Sequence, residues 1–416
     1  MDESAALIVV DGGELPLGGG LLALLRPALD RVAPGGGIVL LSSCAALRDE
    51  LPAWCRLEHH LYRDRMIGAD GRDHHLLERG TLGVPQGERE PGREFELRGG
   101  RLSSAEVLAV VPFPERASAA TGFAPRGARV EPGGPVYPFA LLERDRVAPP
   151  EVAALYDQAV ASQWDAASDI PWHKVKQLPP ALEAALGQIM TFLAENELSA
   201  LYLPSRFISR IHPAYVETAM FLATQLQDEA RHIDVFLKRA RIAGGTLGVS
   251  SVATSRSLLS LLELEDFTEA SFLLSVLGEG TFLDLLRFIE DHAPDEPTAE
   301  LVHRARADEA RHVHFGMSHV KHALAHDPTC YGRLETAVRR RAATLSGIGS
   351  VPAPIQDALT ILAARGTDPH SVARGHEAYR ELLHTMHESR LKRLESAGFS
   401  PAQAETISRL HTPNFM

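Results

Sequence analysis

The chain has 416 residues, 45% of them hydrophobic and 23% charged, enough for two or three domains and a sizeable core. Its net charge of −12 leaves no basic surplus to neutralise phosphates, so no nucleic-acid partner is expected. No signal-peptide pattern follows the acidic start, no run of about eighteen apolar residues marks a membrane span, and the three scattered cysteines (Cys44, Cys55, Cys330) make neither a disulfide framework nor a zinc site; a cytoplasmic protein with no membrane partner is expected.

Residues 1–80 alternate short apolar runs with amphipathic stretches. A strand is expected over Ala6–Val10, a helix over Leu21–Val32, a second strand at Ile38–Leu41 after Gly35-Gly36-Gly37, and a helix through Leu47–Cys55. Two short strands near 57–66 and 73–79 complete a βαβαββ order, which folds as a two-layer sandwich. His59-His60 and His74-His75 read as surface pairs, because neighbours in a strand point to opposite faces.

Residues 81–148 are rich in Pro, Gly and Arg. They read as a connector with some strand content, ordered only near 94–97 and 105–111. From 149 to 416 the apolar period is helical. Long helices are expected over 179–211, 213–243, 256–291 and 298–325, with further helices after them, including one over 369–396. The fold class is thus multi-domain α+β: an N-terminal sandwich, then an all-α four-helix bundle with extra helices.

The most informative pattern lies in that helical zone. Asp228-Glu229-Ala230-Arg231-His232 returns eighty residues later as Asp308-Glu309-Ala310-Arg311-His312. In each copy a carboxylate and an imidazole stand three apart, on one helix face. Each copy also has a glutamate about thirty residues upstream in an apolar helical pattern. For the second copy it is Glu279, on the face of Phe272, Val276, Leu283 and Leu286; for the first it is Glu197 or Glu195, of which Glu197 shares the stripe of Leu193 and Ala200. Four glutamates and two histidines in this order are the ligand set of a carboxylate-bridged dimetal site in a four-helix bundle. The expected layout pairs Glu197 with His232 at one iron and Glu279 with His312 at the other, Glu229 and Glu309 bridging. Carboxylates supply hard donors that shift between binding modes; imidazoles complete each sphere.

From about Gln163 to Ala325 the sequence resembles the ferritin-like diiron superfamily. The pentapeptide is similar to the Asp-Glu-x-Arg-His signature of bacterial multicomponent monooxygenase hydroxylases, and more loosely to the ribonucleotide reductase small subunit. The resemblance implies that Asp228 and Asp308 each hold a histidine of the facing helix, with Arg231 and Arg311 in the same outer network. It also implies a two-iron cofactor, with Mn/Fe as the alternative pair, dioxygen as co-substrate and a small-molecule substrate. A separate protein would donate electrons, and a homodimer is expected. Phe236 stands where radical-generating reductase subunits carry a tyrosine, Ala305 where arylamine N-oxygenases carry an extra histidine, and Leu283 where hydroxylases often carry a threonine.

The first eighty residues resemble the TusA-like sulfur-carrier fold through Val9-Val10-Asp11, Leu15-Pro16-Leu17-Gly18, Pro34-Gly35 and Asp49-Glu50-Leu51-Pro52-Ala53-Trp54-Cys55. The carrier cysteine of that family is missing: residues 12–16 are Gly-Gly-Glu-Leu-Pro. Cys55 is either a displaced nucleophile or a buried helix residue, the second being favoured. The leading functional expectation is a diiron oxygenase or oxidase of a small molecule, one that serves specialised metabolism. The alternatives are a redox or peroxide-handling protein on the same metals, and a sulfur-transfer protein. Trp164 and Trp172 are expected in the core or in a pocket wall.

Overall fold

The computed structural model describes residues 7–82, 92–95, 97, 100–346 and 351–411. Contacts divide the chain into two units, residues 1–91 with 127–135 and residues 92–126 with 136–416.

In the first unit the elements run β1 (Ile8–Gly13), α1 (Leu22–Asp30), β2 (Gly37–Ser42), α2 (Leu47–Leu57), β3 (Leu61–Ile67) and β4 (Asp73–Glu78). The sheet order is β1-β2-β4-β3, with β1 and β2 parallel and the other pairs antiparallel. Strand alternation puts Ile38, Leu40 and Leu77 on one face, where they share a core with Leu25 and Leu29 of α1 and Leu51, Trp54 and Cys55 of α2. His75 is in phase with Leu77, so it is buried on that face rather than at the surface, with the Tyr62 hydroxyl 2.8 Å from its Nδ1. Cys55 has no exposed surface, and burial pushes its thiol up to about 12, which leaves it inert at neutral pH.

In the second unit residues 100–126 and 136–148, part of the stretch expected as a connector, are drawn into the helical body. Part of its expected order, at 94–97, lies outside the described residues. Residues 105–111 do not form a strand: α3 (Ser104–Leu108) starts there, because the Ser103 hydroxyl accepts from the Glu106 N–H and donates to Asp157 of α4 (Val152–Ala161). Arg126 donates to the carbonyls of Leu108 and Val111, each at 2.8 Å, and pairs with buried Glu217. The Tyr215 hydroxyl donates to the Leu142 carbonyl at 2.9 Å. Side chains from this stretch and from the bundle thus satisfy the backbone that Pro and Gly leave without a ladder.

The bundle itself is built from α5 (Pro180–Ile208), α6 (Val216–Ile242), a third helix and α10 (Glu296–His326). A single helix over 256–291 is not what forms. α7 (Val252–Leu262) ends first, and Asp266 then caps a new helix by accepting from the Thr268 and Glu269 N–H groups at 2.9 and 3.0 Å. That new helix runs as α8 (Phe267–Ser271), a π-helical stretch (Phe272–Glu279) and α9 (Gly280–Asp291). It pairs with α10 (Glu296–His326) as α5 pairs with α6. Gly316 lets α10 come close: a Cβ there would stand 2.5 Å from that of Ser275. After α10 follow α11 (Cys330–Leu345), α12 (Ala353–Ala364), α13 (Pro369–Ser396) and α14 (Pro401–Leu410), α12 packing on α5 and α13 on α9. Among the described residues no helix is long and apolar enough to cross a membrane.

Candidate metal centre

Within the bundle core, otherwise filled by residues such as Phe221, Phe236, Phe272 and Phe315, one layer is polar. Glu197 comes from α5, Glu229 and His232 from α6, Glu279 from the last π-helical position and Glu309 and His312 from α10; none is more than 2% exposed. Their ligand atoms fall into two groups, Glu197–Glu229–His232–Glu309 and Glu229–Glu279–Glu309–His312, the atoms of each lying within 4.8 Å of one another. Glu229 and Glu309 belong to both. The two groups therefore share a carboxylate pair and each keeps one further carboxylate and one imidazole.

The imidazoles face inward by Nδ1. His232 Nδ1 lies 3.5 Å from Glu229, 3.4 Å from Glu309 and 3.8 Å from Glu197. His312 Nδ1 lies 3.1 Å from Glu229 and 3.4 Å from Glu309. Outward, each Nε2 meets the aspartate of the facing helix: His232 meets Asp308 at 3.2 Å and His312 meets Asp228 at 3.3 Å. An Nε2–H donated to a carboxylate leaves the Nδ1 lone pair turned to the centre, the tautomer a metal needs.

Eight inward atoms have no hydrogen-bond partner although they are buried: Nδ1 of both histidines, both oxygens of Glu229 and of Glu309, and one oxygen each of Glu197 and Glu279. Leaving so many polar atoms unsatisfied in a core is costly, and cations among them remove the cost. The donor set of oxygens and imidazole nitrogens fits iron or manganese.

Electrostatics point the same way. Burial, and then the charges of Glu309 and Glu229, hold the Glu197 and Glu279 carboxyls well above the usual range. Burial works against charge on both histidines, yet their carboxylate partners hold them well above an ordinary imidazole. The protein alone thus keeps protons where a metal would sit. Metal loading is expected to release protons and to weaken as pH falls. Calorimetric titration in buffers of different ionisation enthalpy reads their number, and a heat that ignores the buffer would rule this out.

An outer network closes the site. Arg231 donates to Asp308 at 2.8 Å and pairs with Asp228; Arg311 donates to Asp228 at 3.2 Å and pairs with Asp308. Two residues just after α4 complete it. Trp164 Nε1 donates to Asp308 at 2.8 Å, its ring carrying the Arg231 guanidinium at 4.6 Å, and Gln163 donates to Asp228 at 3.0 Å. Trp164 is therefore a hydrogen-bond donor in this network as well as a core residue. The hydrogen bonds of Gln163 and Trp164 are not legible in the sequence, since residues 163–164 follow α4 with no periodicity of their own. Burial alone would raise Asp308, but His232, Arg231 and Trp164 outweigh it and hold it below the usual range.

Gln225 is also invisible to spacing arguments. It donates to Glu279 at 3.1 Å and lines a narrow apolar pocket with Leu203, Phe207, Leu222, Phe267 and Phe315. Glu195 lies apart from the centre, half-buried and bonded to Ser250. Glu197→Gln is therefore expected to lower metal affinity by at least about tenfold, the cost of losing even an outer-shell partner, while Glu195→Gln keeps full metal content. Equal metal in both variants after dialysis would reverse that assignment.

No protein-family model matches the chain, and no curated protein matches it. Among solved structures it is similar to a single-residue mutant of an R2-like ligand-binding oxidase with aerobically reconstituted Mn/Fe cofactor, at a TM-score of 0.48 and 19% identity over 60% of this chain and 93% of that one. It is also similar to R2-like ligand-binding oxidase with aerobically reconstituted Mn/Fe cofactor after a long soak, at 0.46 and 20% over 60% and 92%. At these values the reading of the site rests on the chain's own geometry.

Proposed function

We propose that the chain is a ferritin-like dimetal oxidase or oxygenase that uses dioxygen to oxidise a small molecule. The observation that carries this reading is the pair of overlapping donor groups, buried and sharing Glu229 and Glu309, whose inward atoms have no hydrogen-bond partner. Glu197, Glu229, His232 and Glu309 would hold one ion, and Glu229, Glu279, Glu309 and His312 the other. Two irons, or a Mn/Fe pair, supply one-electron steps that dioxygen needs and that side chains lack.

The remaining work belongs to the chain. Asp228 and Asp308 fix the imidazole tautomers, and Arg231 and Arg311 neutralise those aspartates. Gln225 holds one carboxylate oxygen of Glu279 through its amide N–H and leaves the other free for an ion. Reduction of dioxygen takes four electrons; a hydroxylated substrate gives two, so a separate donor protein gives the others. The N-terminal unit, read as a TusA-like two-layer sandwich whose only core cysteine is inert, fits a docking module better than a sulfur carrier.

Anaerobic loading with ferrous iron, followed by mixing with oxygenated buffer and a chemical reductant, tests the function. Dioxygen is expected to disappear in proportion to bound metal. Metal binding without any dioxygen uptake would defeat the oxidase reading while leaving the site intact.

A further inference from the structure

The last turns of α10 carry two more histidines that the centre does not use. His322 and His326 stand one turn apart on the helix, and Asp145, in the short turn Arg144–Arg146, comes up against them. One ligand atom from each of the three lies within 4.8 Å of the others. His326 Nδ1 is 2.8 Å from the His322 carbonyl, so that nitrogen carries the proton and Nε2 keeps its lone pair. His322 is the telling member. Its side chain is 8% exposed, and its Nε2 is buried without a hydrogen-bond partner, 3.3 Å from the Asp145 carboxylate but out of line for a bond.

We propose that Asp145, His322 and His326 form a second, mononuclear site for an imidazole-preferring divalent ion such as Zn2+. Two imidazoles one helical turn apart and a carboxylate from another segment match the donor types and number of a three-ligand zinc site with water in the fourth position. The ion satisfies the one atom of His322 that the protein leaves alone. The Arg144 guanidinium does not occupy the position: it lies 3.3 Å from Glu115 and over the Phe113 ring. His322 is ten residues beyond His312, roughly 15 Å along the helix, so the two sites are separate. Filling this one pins the turn at 144–146 to the end of α10.

The full chain and its His326→Ala variant are dialysed against Zn2+, and the metal per chain is counted. His326 is exposed, so the variant is expected to fold as the native chain does, which circular dichroism checks. One zinc fewer per chain is expected in His326→Ala, with iron uptake at the buried centre unchanged. Cu2+ bound to the native chain should show two-nitrogen coupling by electron paramagnetic resonance, and the signal should lose one nitrogen in His326→Ala. His322→Ala should give the same result. Equal zinc content and an equal copper spectrum in all three proteins would overturn the proposal, as would native binding only at millimolar zinc. Neither readout depends on whether the buried centre handles dioxygen.

Discussion

Replacing Glu229 and Glu309 together by alanine is expected to abolish uptake of both ions of the buried centre. These two carboxylates are the only residues common to its two donor groups. Removing them leaves each position with one carboxylate and one imidazole, too few to hold an ion in a bundle core. The loss should appear in stability as well. An ion at a thousandfold excess over its dissociation constant stabilises the folded chain by about 4 kcal/mol; the native melt should therefore rise on loading, and the variant's should not move. Without metal the two carboxylates still pair with His232 and His312; breaking buried ion pairs from one side costs about 3–5 kcal/mol, so the metal-free variant should melt below the metal-free native chain. Two metals per chain retained at the buried centre of the double variant would sink the site.

How much of this was legible follows from what each feature depends on. The pentapeptide repeats because two helix pairs present the same ligand pair to one centre, so Glu229, His232, Glu309 and His312 stand out by repetition alone. Glu197 and Glu279 stand out by their place on apolar stripes, which helical period encodes. The π-helical stretch before Glu279 does not show in the period, because its register shift depends on how the helix packs against α10 at Gly316 and Ser275. The break between α7 and α8 turns on one capping side chain, Asp266, in a run that otherwise reads as continuous helix. Residues 100–126 look like part of a tether by composition. Their order comes from partners far along the chain, such as Tyr215, which donates to the Pro114 carbonyl, and Glu217, which pairs with Arg126; no local pattern announces either. Gln163, Trp164 and Gln225 escape for the same reason: each acts through long-range hydrogen bonds.

The outer network yields the second large effect. Asp308→Asn keeps the shape of the side chain and one acceptor for His232, but it removes the charge that faces Arg231 and Arg311. Two nearly buried guanidiniums, 5% and 12% exposed, are then left with Asp228 alone. Breaking a buried ion pair from one side costs about 3–5 kcal/mol, and the denaturation midpoint of the metal-free chain should fall accordingly. Trp164→Phe removes a single hydrogen bond to the same carboxylate and no charge, so about 1.5–3 kcal/mol is expected. Metal binding separates the two aspartates. Asp308 meets His232 and Asp228 meets His312, so Asp308→Asn should weaken the ion held with Glu197 by roughly 10–100-fold, and Asp228→Asn the ion held with Glu279. Near-stoichiometric loading should give about one tightly bound ion per chain in either variant. An unchanged midpoint in Asp308→Asn, or both ions weakened alike by each substitution, would mean that the arginines share their charge with groups beyond this network and that the aspartates do not act on one histidine each.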